Sequence, residues 1–324
     1  RTDLYPHTLD SDGWSLLREG AGISHRGSLI AENSTFYSNY NSTERGLGGA
    51  INVMTHEPYS SLTFNNCEFY DNISRTGAVM DVRYTDGYNL IIDSSLIYNN
   101  GDDNCYSLID NYEDIIITNS TITGNNCDNI LALGSCCSDD WTYSDAIIVN
   151  SILWNEDSIR EFIIGGDNSV IERLIIDHSN IKGGEDGVAI YPDDNESGTM
   201  INWLDGNIDL NPLFQDPNNF DFTLQEQSPC IDAGTDYFNF EGEVIVSQVS
   251  YNGVAPDMGI FEYSGSTSEC QVEGDLTNDG IVNVLDIVSI VNIILGATNQ
   301  TDCSDLNSDG IVNVLDIVAL VNIV

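Results

Sequence analysis

The stretch "LIIDSSLIYNN" (90–100) carries one structural unit in eleven residues. A β-branched apolar run is followed by a small polar pair, a second short apolar run and a turn-forming Asn pair. Each apolar run is too short for a helix, and Ile-rich runs bounded by Asn, Asp and Ser read as strands ended by turns. The same order recurs in "ENSTFYSN" (32–39), "NNCEFYDN" (65–72), "TNSTITGN" (118–125), "VNSILWNE" (149–156) and "DHSNIKGG" (177–184). With Phe36, Phe69, Leu96, Ile122, Leu153 and Ile181 as equivalents, the steps are 33, 27, 26, 31 and 28 residues.

Short strands recurring every ~25–30 residues, with almost no helical periodicity over 20–235, predict a right-handed parallel β-helix. In such a solenoid each coil buries its apolar residues and pairs its backbone with the coils on either side. Small polar residues then align from coil to coil, predicting a ladder of Ser34, Cys67, Ser94, Ser120, Ser151 and Ser179, with Cys67 a buried free thiol. A propeller needs ~40 residues per blade, and a β-sandwich shows hairpin turns with cleaner alternation, so both fit the period less well.

The period breaks at "NPLFQDPNNFDFTLQEQSPCIDAGT" (211–235), which reads as a closing flap of turns and one short strand. Together with "APDMGIFEY" (255–263) and the coil motif, it resembles secreted bacterial right-handed β-helix repeat proteins, in which a similar segment closes the helix. The resemblance covers about 20–263 and implies architecture, not activity. The expected organisation is a β-helix over 1–263 with a closing segment at 211–263, a "SGSTSE" linker at 264–269, and a small module at 270–324.

In that module "DGIVNVLDIV" occurs twice, at 279–288 and 309–318. With the preceding residues the copies become "DLTNDGIVNVLD" (275–286) and "DLNSDGIVNVLD" (305–316). Oxygen-bearing side chains fall at loop positions 1, 3, 5, 9 and 12, with Gly at 6, which is nearly the spacing of a calcium loop. A hard cation takes six to eight oxygens at ~2.4 Å, and a loop closing on itself offers them at alternate positions. The expected ligands of a first Ca²⁺ are Asp275, Thr277, Asp279, the Ile281 carbonyl, Asn283 and Asp286. Those of a second are Asp305, Asn307, Asp309, the Ile311 carbonyl, Asn313 and Asp316. Thr277 is a poorer ligand than Asn307, which predicts a weaker first site.

"IVSIVNIILG" (287–296) and "IVALVNIV" (317–324) follow with the apolar spacing of a helix burying one face, Gly296 marking the end of the first. The second copy runs eight residues past Asp316 where the first runs ten to Gly296, so its helix is expected to be shorter. No comparable helix precedes either loop. The pattern resembles a dockerin domain, two tandem calcium loops each followed by a helix. This resemblance implies a cohesin-like or self-assembly partner; a calcium-stiffened cap on the β-helix is the plainer alternative. In dockerins, loop positions 10 and 11 help select the partner. Here they are Val284–Leu285 and Val314–Leu315, unlike the Ser/Thr pair of the cellulose-degrading type. Duplication would permit docking in two orientations. A disulfide between Cys270 and Cys303 would clasp the two units.

Composition narrows the setting. There are 52 acidic against 9 basic residues and a formal net charge of -43. Such a chain repels phosphate backbones and anionic membranes, so nucleic acid is excluded as a partner, and dense carboxylate suits divalent cations. No apolar run reaches the ~18 residues of a membrane span; the longest, 281–295, is broken by Asn283, Asp286 and Asn292. The chain opens on Arg1 without an initiator Met or signal peptide, the expectation for a processed or fragmentary chain. Eight Cys, including the vicinal Cys136–Cys137, without CxxC or zinc spacing, fit an oxidising extracellular location.

The catalytic signal is thin. Lyases of this fold use a basic residue with Ca²⁺, and Arg83, flanked by Asp81 and Asp86, is the best-placed base. "GDDNC" (101–105) is similar to the paired-Asp segment of polygalacturonases, pointing to Asp102 and Asp103, but the accompanying Gly-His-Gly and Arg-Ile-Lys motifs are absent. His7, His25, His56 and His178 show no triad or metal spacing. Tyr59, Tyr84, Tyr88, Tyr106 and Tyr112 could form a polysaccharide platform. The sequence therefore predicts a secreted calcium-binding β-helix with a non-catalytic surface, adhesion or scaffold role. The alternative is a carbohydrate-active enzyme, lyase or glycoside hydrolase, working in the β-helix groove.

Overall fold

Apolar runs of three to five residues cannot satisfy their backbone alone, and in this chain each is paired with the equivalent run of the next repeat. The computed structural model describes residues 22–25, 28–41, 46–54, 61–83, 89–134, 145–165, 173–190, 200–247, 250–264, 274–277, 281–295, 304–307 and 311–323, without the side chains of His25, Met54 and Arg83. The chain divides into two compact units, one ending at Glu262 and one starting at Tyr263. The expected linker at 264–269 lies, but for Ser264, outside the described residues.

Three parallel sheets run through the first unit. The first joins Ile23–His25, Ile51–Met54, Met80–Arg83, Ser107–Asn111, Asn129–Leu133, Arg160–Ile164 and Ala189–Ile190. The second joins Leu29–Glu32, Ser61–Asn65, Asn89–Asp93, Asp114–Thr118, Asp145–Val149, Arg173–Asp177 and Met200–Trp203. The third joins Thr35–Tyr37, Glu68–Tyr70, Leu96–Tyr98, Thr121–Thr123, Ile152–Trp154 and Asn180–Ile181. The chain visits the sheets in rotation, the arrangement of a parallel β-helix. Inward rows such as Phe64, Ile92, Ile117, Ile148 and Ile176 form one continuous core.

The inward row of the third sheet is Phe36, Phe69, Ile97, Ile122, Leu153 and Ile181. The third member is Ile97, not Leu96 as the repeat alignment predicts. The polar ladder shifts likewise, because the amides of Cys67, Ser95, Ser120 and Ser151 donate to the hydroxyls of Ser95, Ser120, Ser151 and Ser179. Ser95 replaces Ser94 for a backbone reason. Each two-residue turn between the second and third sheets opens on a left-handed residue: Asn33, Asn66, Ser94, Asn119, Asn150 or His178, with φ between 42 and 52°. Ser94 fills the slot that in four of the other five coils takes Asn, the residue most tolerant of this conformation. Cys67 is a buried free thiol.

A second ladder, of asparagines, lines the corner after the third sheet. The backbone and side-chain amides of Asn39 both donate to Asn72 Oδ1, at 3.2 and 2.8 Å. Those of Asn72 donate to Asn100 Oδ1, both at 2.9 Å, those of Asn100 to Asn125 Oδ1, and those of Asn125 to Asn155 Oδ1. One coil on, the place of a further asparagine is held by Gly183. Glu161 ends the ladder instead, its Oε1 and Oε2 accepting from Asn155 N and Nδ2 at 2.8 Å each. Burial pushes the Glu161 carboxyl up to about 7, although the Asn155 amides and the Lys182 charge pull it down. Lys182 Nζ itself donates to the Asn155 carbonyl at 2.5 Å.

Residues 211–263, expected to close the helix, lie along its flanks. A hairpin of Phe214–Asp216 and Asp221–Leu224 reaches the third sheet, where Phe222 packs 5.4 Å from Tyr98. There it extends an outward stack of Tyr37, Tyr70 and Tyr98, spaced 5.2 and 5.3 Å. A hairpin of Tyr237–Phe240 and Glu243–Ser247 covers the second sheet, with Phe238 and Val246 against Ile147, Val149 and Ile175. Arg173 pins it, donating to Asp145 and Glu241 and lying 5.1 Å over Phe240. The second unit contains helices α1 (Val284–Ile294) and α2 (Val314–Ile323).

Asn100→Ala leaves two buried donors of Asn72 without their acceptor, at about 1–3 kcal/mol each. Its melting temperature is expected to fall by several degrees in thermal unfolding followed by circular dichroism. Glu161 also sets a pH dependence. Between pH 4.5 and about 7 the folded chain keeps a proton that the unfolded chain has released. Stability therefore falls as pH rises through that window, by about 3 kcal/mol in all, and is flat above it. Glu161→Gln should remove this share of the slope in denaturant titrations at stepped pH.

Candidate functional site

The two loops of the terminal module are built around their twelfth residues. Asp286 and Asp316 are completely buried, and each belongs to the first turn of its helix. The helices thus begin at loop position 10, three residues before the apolar stretches that the sequence marks. Asn283 is the N-cap of α1: its Oδ1 accepts from Leu285 N at 2.8 Å while its backbone amide donates to Asp286 Oδ2 at 2.7 Å. That reciprocal pair is a capping box. Asn313 repeats it, with Leu315 N to Asn313 Oδ1 at 2.8 Å and Asn313 N to Asp316 Oδ2 at 2.8 Å.

The other carboxylate oxygen closes each loop on its start. Thr277 N donates to Asp286 Oδ1 at 2.8 Å, and Asn307 N to Asp316 Oδ1 at 3.2 Å. Burial pushes the Asp286 carboxyl up, but the Asn283 and Thr277 amides, the Thr277 hydroxyl and the Leu276 amide together outweigh it and hold it below the usual range. It stays an anion in a buried place. The units differ at position 3. The Thr277 hydroxyl lies 2.9 Å from Asp286 Oδ1 and 3.3 Å from Asp275 Oδ1, bridging the two carboxylates.

The expected ligands fit a hard cation as far as they are described. Asp275 is buried beside Asp286, and the Ile281 and Ile311 carbonyls accept from Asn283 Nδ2 and Asn313 Nδ2 at 3.0 and 2.9 Å. All the donors are oxygens, the set that Ca²⁺ takes. Asp279, Asp309, Cys270, Cys303 and Gly296 lie outside the described residues. Among the described residues no three His, Cys, Asp or Glu side chains converge as a metal group.

The helices present matching apolar surfaces. Val284 and Leu285 are 62 and 57% exposed, and Val314 and Leu315 also 62 and 57%. Ile281 and Ile311, at 63 and 64%, and Val288 and Val318, at 53 and 56%, extend the two patches. Ten identical residues placed in equivalent loop–helix units account for the equality.

The catalytic candidates of the β-helix are not brought together. Asp102 Oδ1 accepts from Asn104 N at 2.9 Å and Asp103 Oδ1 from Asn126 Nδ2 at 3.0 Å. Their turn is held by a Cys105–Cys127 disulfide to the neighbouring coil, which the sequence reading missed. Two cysteines about one coil apart in number were the available signal. Arg83 ends a strand of the first sheet, its side chain undescribed, and Asp81 in that strand is completely buried. His178 Nδ1 lies 2.6 Å from Asp177 Oδ2 at a turn. His7, His56, Tyr59, Tyr84, Asp86 and Tyr88 lie outside the described residues, while Tyr106 is exposed and Tyr112 half-buried. The stacked Tyr37, Tyr70 and Tyr98 turn their faces to one another and so present edges, whereas a sugar platform needs an open ring face.

The "CIDAG…APDMGIFEY" signature works as a clasp. Asp232 Oδ1 accepts from Val254 N and Ala255 N, Asp257 Oδ1 from Asp232 N, and Glu262 from Asn252 N and Asp257 N. Gly259 N reaches back to the Asn150 carbonyl at 2.8 Å. These carboxylates are engaged in holding the flank segment.

Residues 273–324 match the dockerin type I domain family. No curated protein and no solved structure matches the chain significantly. A dockerin type I domain thus stands at the C-terminal side of a parallel β-helix. Domains of this type typically bind calcium and imply assembly through a cohesin. No described helix is long and apolar enough to cross a membrane. Asp286→Ala removes the acceptor of the Asn283, Thr277 and Leu276 amides and of the Thr277 hydroxyl, and with it one half of the capping box. In chelator, so that metal does not contribute, it should destabilise the module by about 2 kcal/mol or more and lower the helical circular-dichroism signal.

Proposed function

We propose that this is a secreted, calcium-binding β-helix protein with a non-catalytic surface, adhesion or scaffold role. Its terminal module over 270–324 docks the chain onto a cohesin-like partner. The observation that carries the reading is the pair of equally exposed apolar patches at Val284–Leu285 and Val314–Leu315, each fixed by a buried, capped aspartate. Contiguous exposed apolar surface on a small acidic module is the mark of a docking face. Two equivalent patches let one partner surface be met in either of two orientations. The Val–Leu pairs favour a partner with an apolar recess.

Calcium sets the loops that hold these patches. The first ion takes Asp275, Thr277, Asp279, the Ile281 carbonyl, Asn283 and Asp286; the second takes Asp305, Asn307, Asp309, the Ile311 carbonyl, Asn313 and Asp316. The Thr277 hydroxyl spends its proton between two carboxylates where Asn307 offers a carbonyl oxygen, so the first loop binds more weakly. The engagement of Asp102 and Asp103 in a stapled turn supports the non-catalytic reading. The disulfide supports an oxidising, extracellular location.

The test is binding of the full chain to a panel of immobilised cohesin modules, in Ca²⁺ and in EGTA. One member is expected to bind in Ca²⁺ only. Val284→Ser/Leu285→Ser should weaken it a few-fold at most, because the second orientation remains. The four-fold variant with Val314→Ser/Leu315→Ser should lose about 100-fold or more. Binding that survives EGTA or the four substitutions would refute docking through these patches. Turnover of an acidic or neutral glycan, lost on Asp103→Asn or Arg83→Ala, would overturn the non-catalytic role.

A further inference from the structure

The sequence contains a single lysine, Lys182, among its 9 basic residues. It stands one coil after Asn155, and its Nζ lies 2.5 Å from the Asn155 carbonyl oxygen and 3.3 Å from that of Glu156. The Glu156 carboxylate is further off, at 3.9 Å, and largely exposed. A lysine that only balanced charge would close on that carboxylate. This one is held against the last asparagine of the corner ladder.

Asn155 is completely buried, and its carboxamide is engaged at both ends. Oδ1 accepts from Asn125 N and Asn125 Nδ2, both at 3.0 Å. Two donors on one carbonyl oxygen draw electrons from Cγ and stabilise negative charge that develops on that oxygen. Nδ2 donates to the Ile122 carbonyl at 3.1 Å and to Glu161 Oε2 at 2.8 Å. Asn39, Asn72, Asn100 and Asn125 each donate to a further carboxamide instead. Glu161 is itself buried, and burial lets it keep a proton up to about 7. A carboxyl that exchanges its proton near neutrality, in contact with an amide nitrogen, is suited to carry protons between an amine and that nitrogen. Amine, polarised carboxamide and proton carrier thus meet at one rung.

We propose that Lys182 and Asn155 join in an intramolecular isopeptide bond, formed by the folded chain itself with Glu161 as the proton carrier. Nζ turns from the backbone carbonyl of Asn155 to the side-chain carbon of the same residue. It gives a proton to Glu161, and its lone pair attacks Cγ. The Nζ–Cγ bond forms while Oδ1 takes the negative charge under the two Asn125 donors. The oxyanion then collapses and the Cγ–Nδ2 bond breaks. Glu161 takes two protons in turn from Nζ and hands each to the departing nitrogen, which leaves as ammonium. A lysine ammonium and a carboxamide become one secondary amide and one ammonium ion, with no oxidant and no cofactor. Oδ1 stays in place, so the acceptor that Asn125 needs is kept. The bond ties two positions 27 residues apart, at the rung where the asparagine ladder stops.

With one lysine in the chain, the readout has one place to look. The full chain is held near neutral pH and weighed by intact mass spectrometry. It is then denatured, digested with a lysine-specific protease and fragmented. The expected mass is below that of the sequence by one ammonia. Cleavage after Lys182 should be lost, and one branched peptide should join Lys182 to Asn155. Lys182→Arg and Glu161→Gln should each keep their full mass. The parent should melt several degrees above Lys182→Arg, whose guanidinium keeps the charge and the donors to the Asn155 carbonyl. If Glu161→Gln does not fold, the linked peptide of the parent and its loss in Lys182→Arg decide the matter. A parent of full mass, cut after Lys182 and labelled there by an amine reagent, would overturn the bond. Loss of ammonia that persists in Lys182→Arg refutes it as well, by placing the loss elsewhere, as in a succinimide at Asn252–Gly253. A link that forms equally fast in Glu161→Gln removes Glu161 from the reaction.

Discussion

Burying an amide at a solenoid corner obliges the next coil to supply its acceptor, and this obligation sets the register of the whole β-helix. Asparagine meets it because its side chain both accepts and donates, so each rung takes two hydrogen bonds from the coil before and passes two on. Aspartate would accept without donating and would end the series. The serine ladder on the other corner follows the same rule: each hydroxyl accepts from one coil and donates to a carbonyl two residues back in its own. With both corners fixed, the three sheets between them cannot slip by one residue without reversing which side chains face the core. A directional ladder must also stop. Glu161 provides the stop from a different strand, with two acceptor oxygens and no need to donate.

The period, the strands and the solenoid were legible because each coil repeats an apolar run of fixed length, and burial leaves that pattern little freedom. The third repeat misled by one residue because "DSSLIY" offers two serines and two apolar residues in a row. Only the left-handed turn at Ser94 decides between them. The asparagines read as turn chemistry, since an Asn at a turn and an Asn in a buried ladder look alike in one dimension. Glu161 and the Cys105–Cys127 bridge act between segments distant in sequence and leave no periodic trace. The strand at Asp221–Leu224 was legible, but its pairing and the second hairpin escaped for a related reason: they pack on outward faces whose partners, such as Ile147 and Tyr98, sit among residues that read as ordinary strand exteriors. In the terminal module the spacing of oxygens was legible. The capping role of Asn283 and Asn313 was hidden behind their candidacy as ligands.

The two units use repetition differently. The β-helix keeps a pattern and varies its residues, so each coil differs while the hydrogen-bond grammar persists. The terminal module keeps the residues themselves, and identical side chains in equivalent frames give equal exposure. Repetition of pattern yields a rigid body with flanks that can diverge. Repetition of residues yields two copies of one surface, useful only if something outside the chain reads either copy.

A chain with 52 acidic and 9 basic residues cannot neutralise its buried carboxylates with side-chain cations. Most burials therefore need another answer, and three kinds of answer are visible among the described residues. Asp232 and Asp286 are met by backbone amides, which supply partial charge without a basic residue. Glu161 takes up a proton near neutrality, with its capping oxygens still in place. Arg173 serves two acids at once, Asp145 and Glu241, and holds a hairpin by doing so.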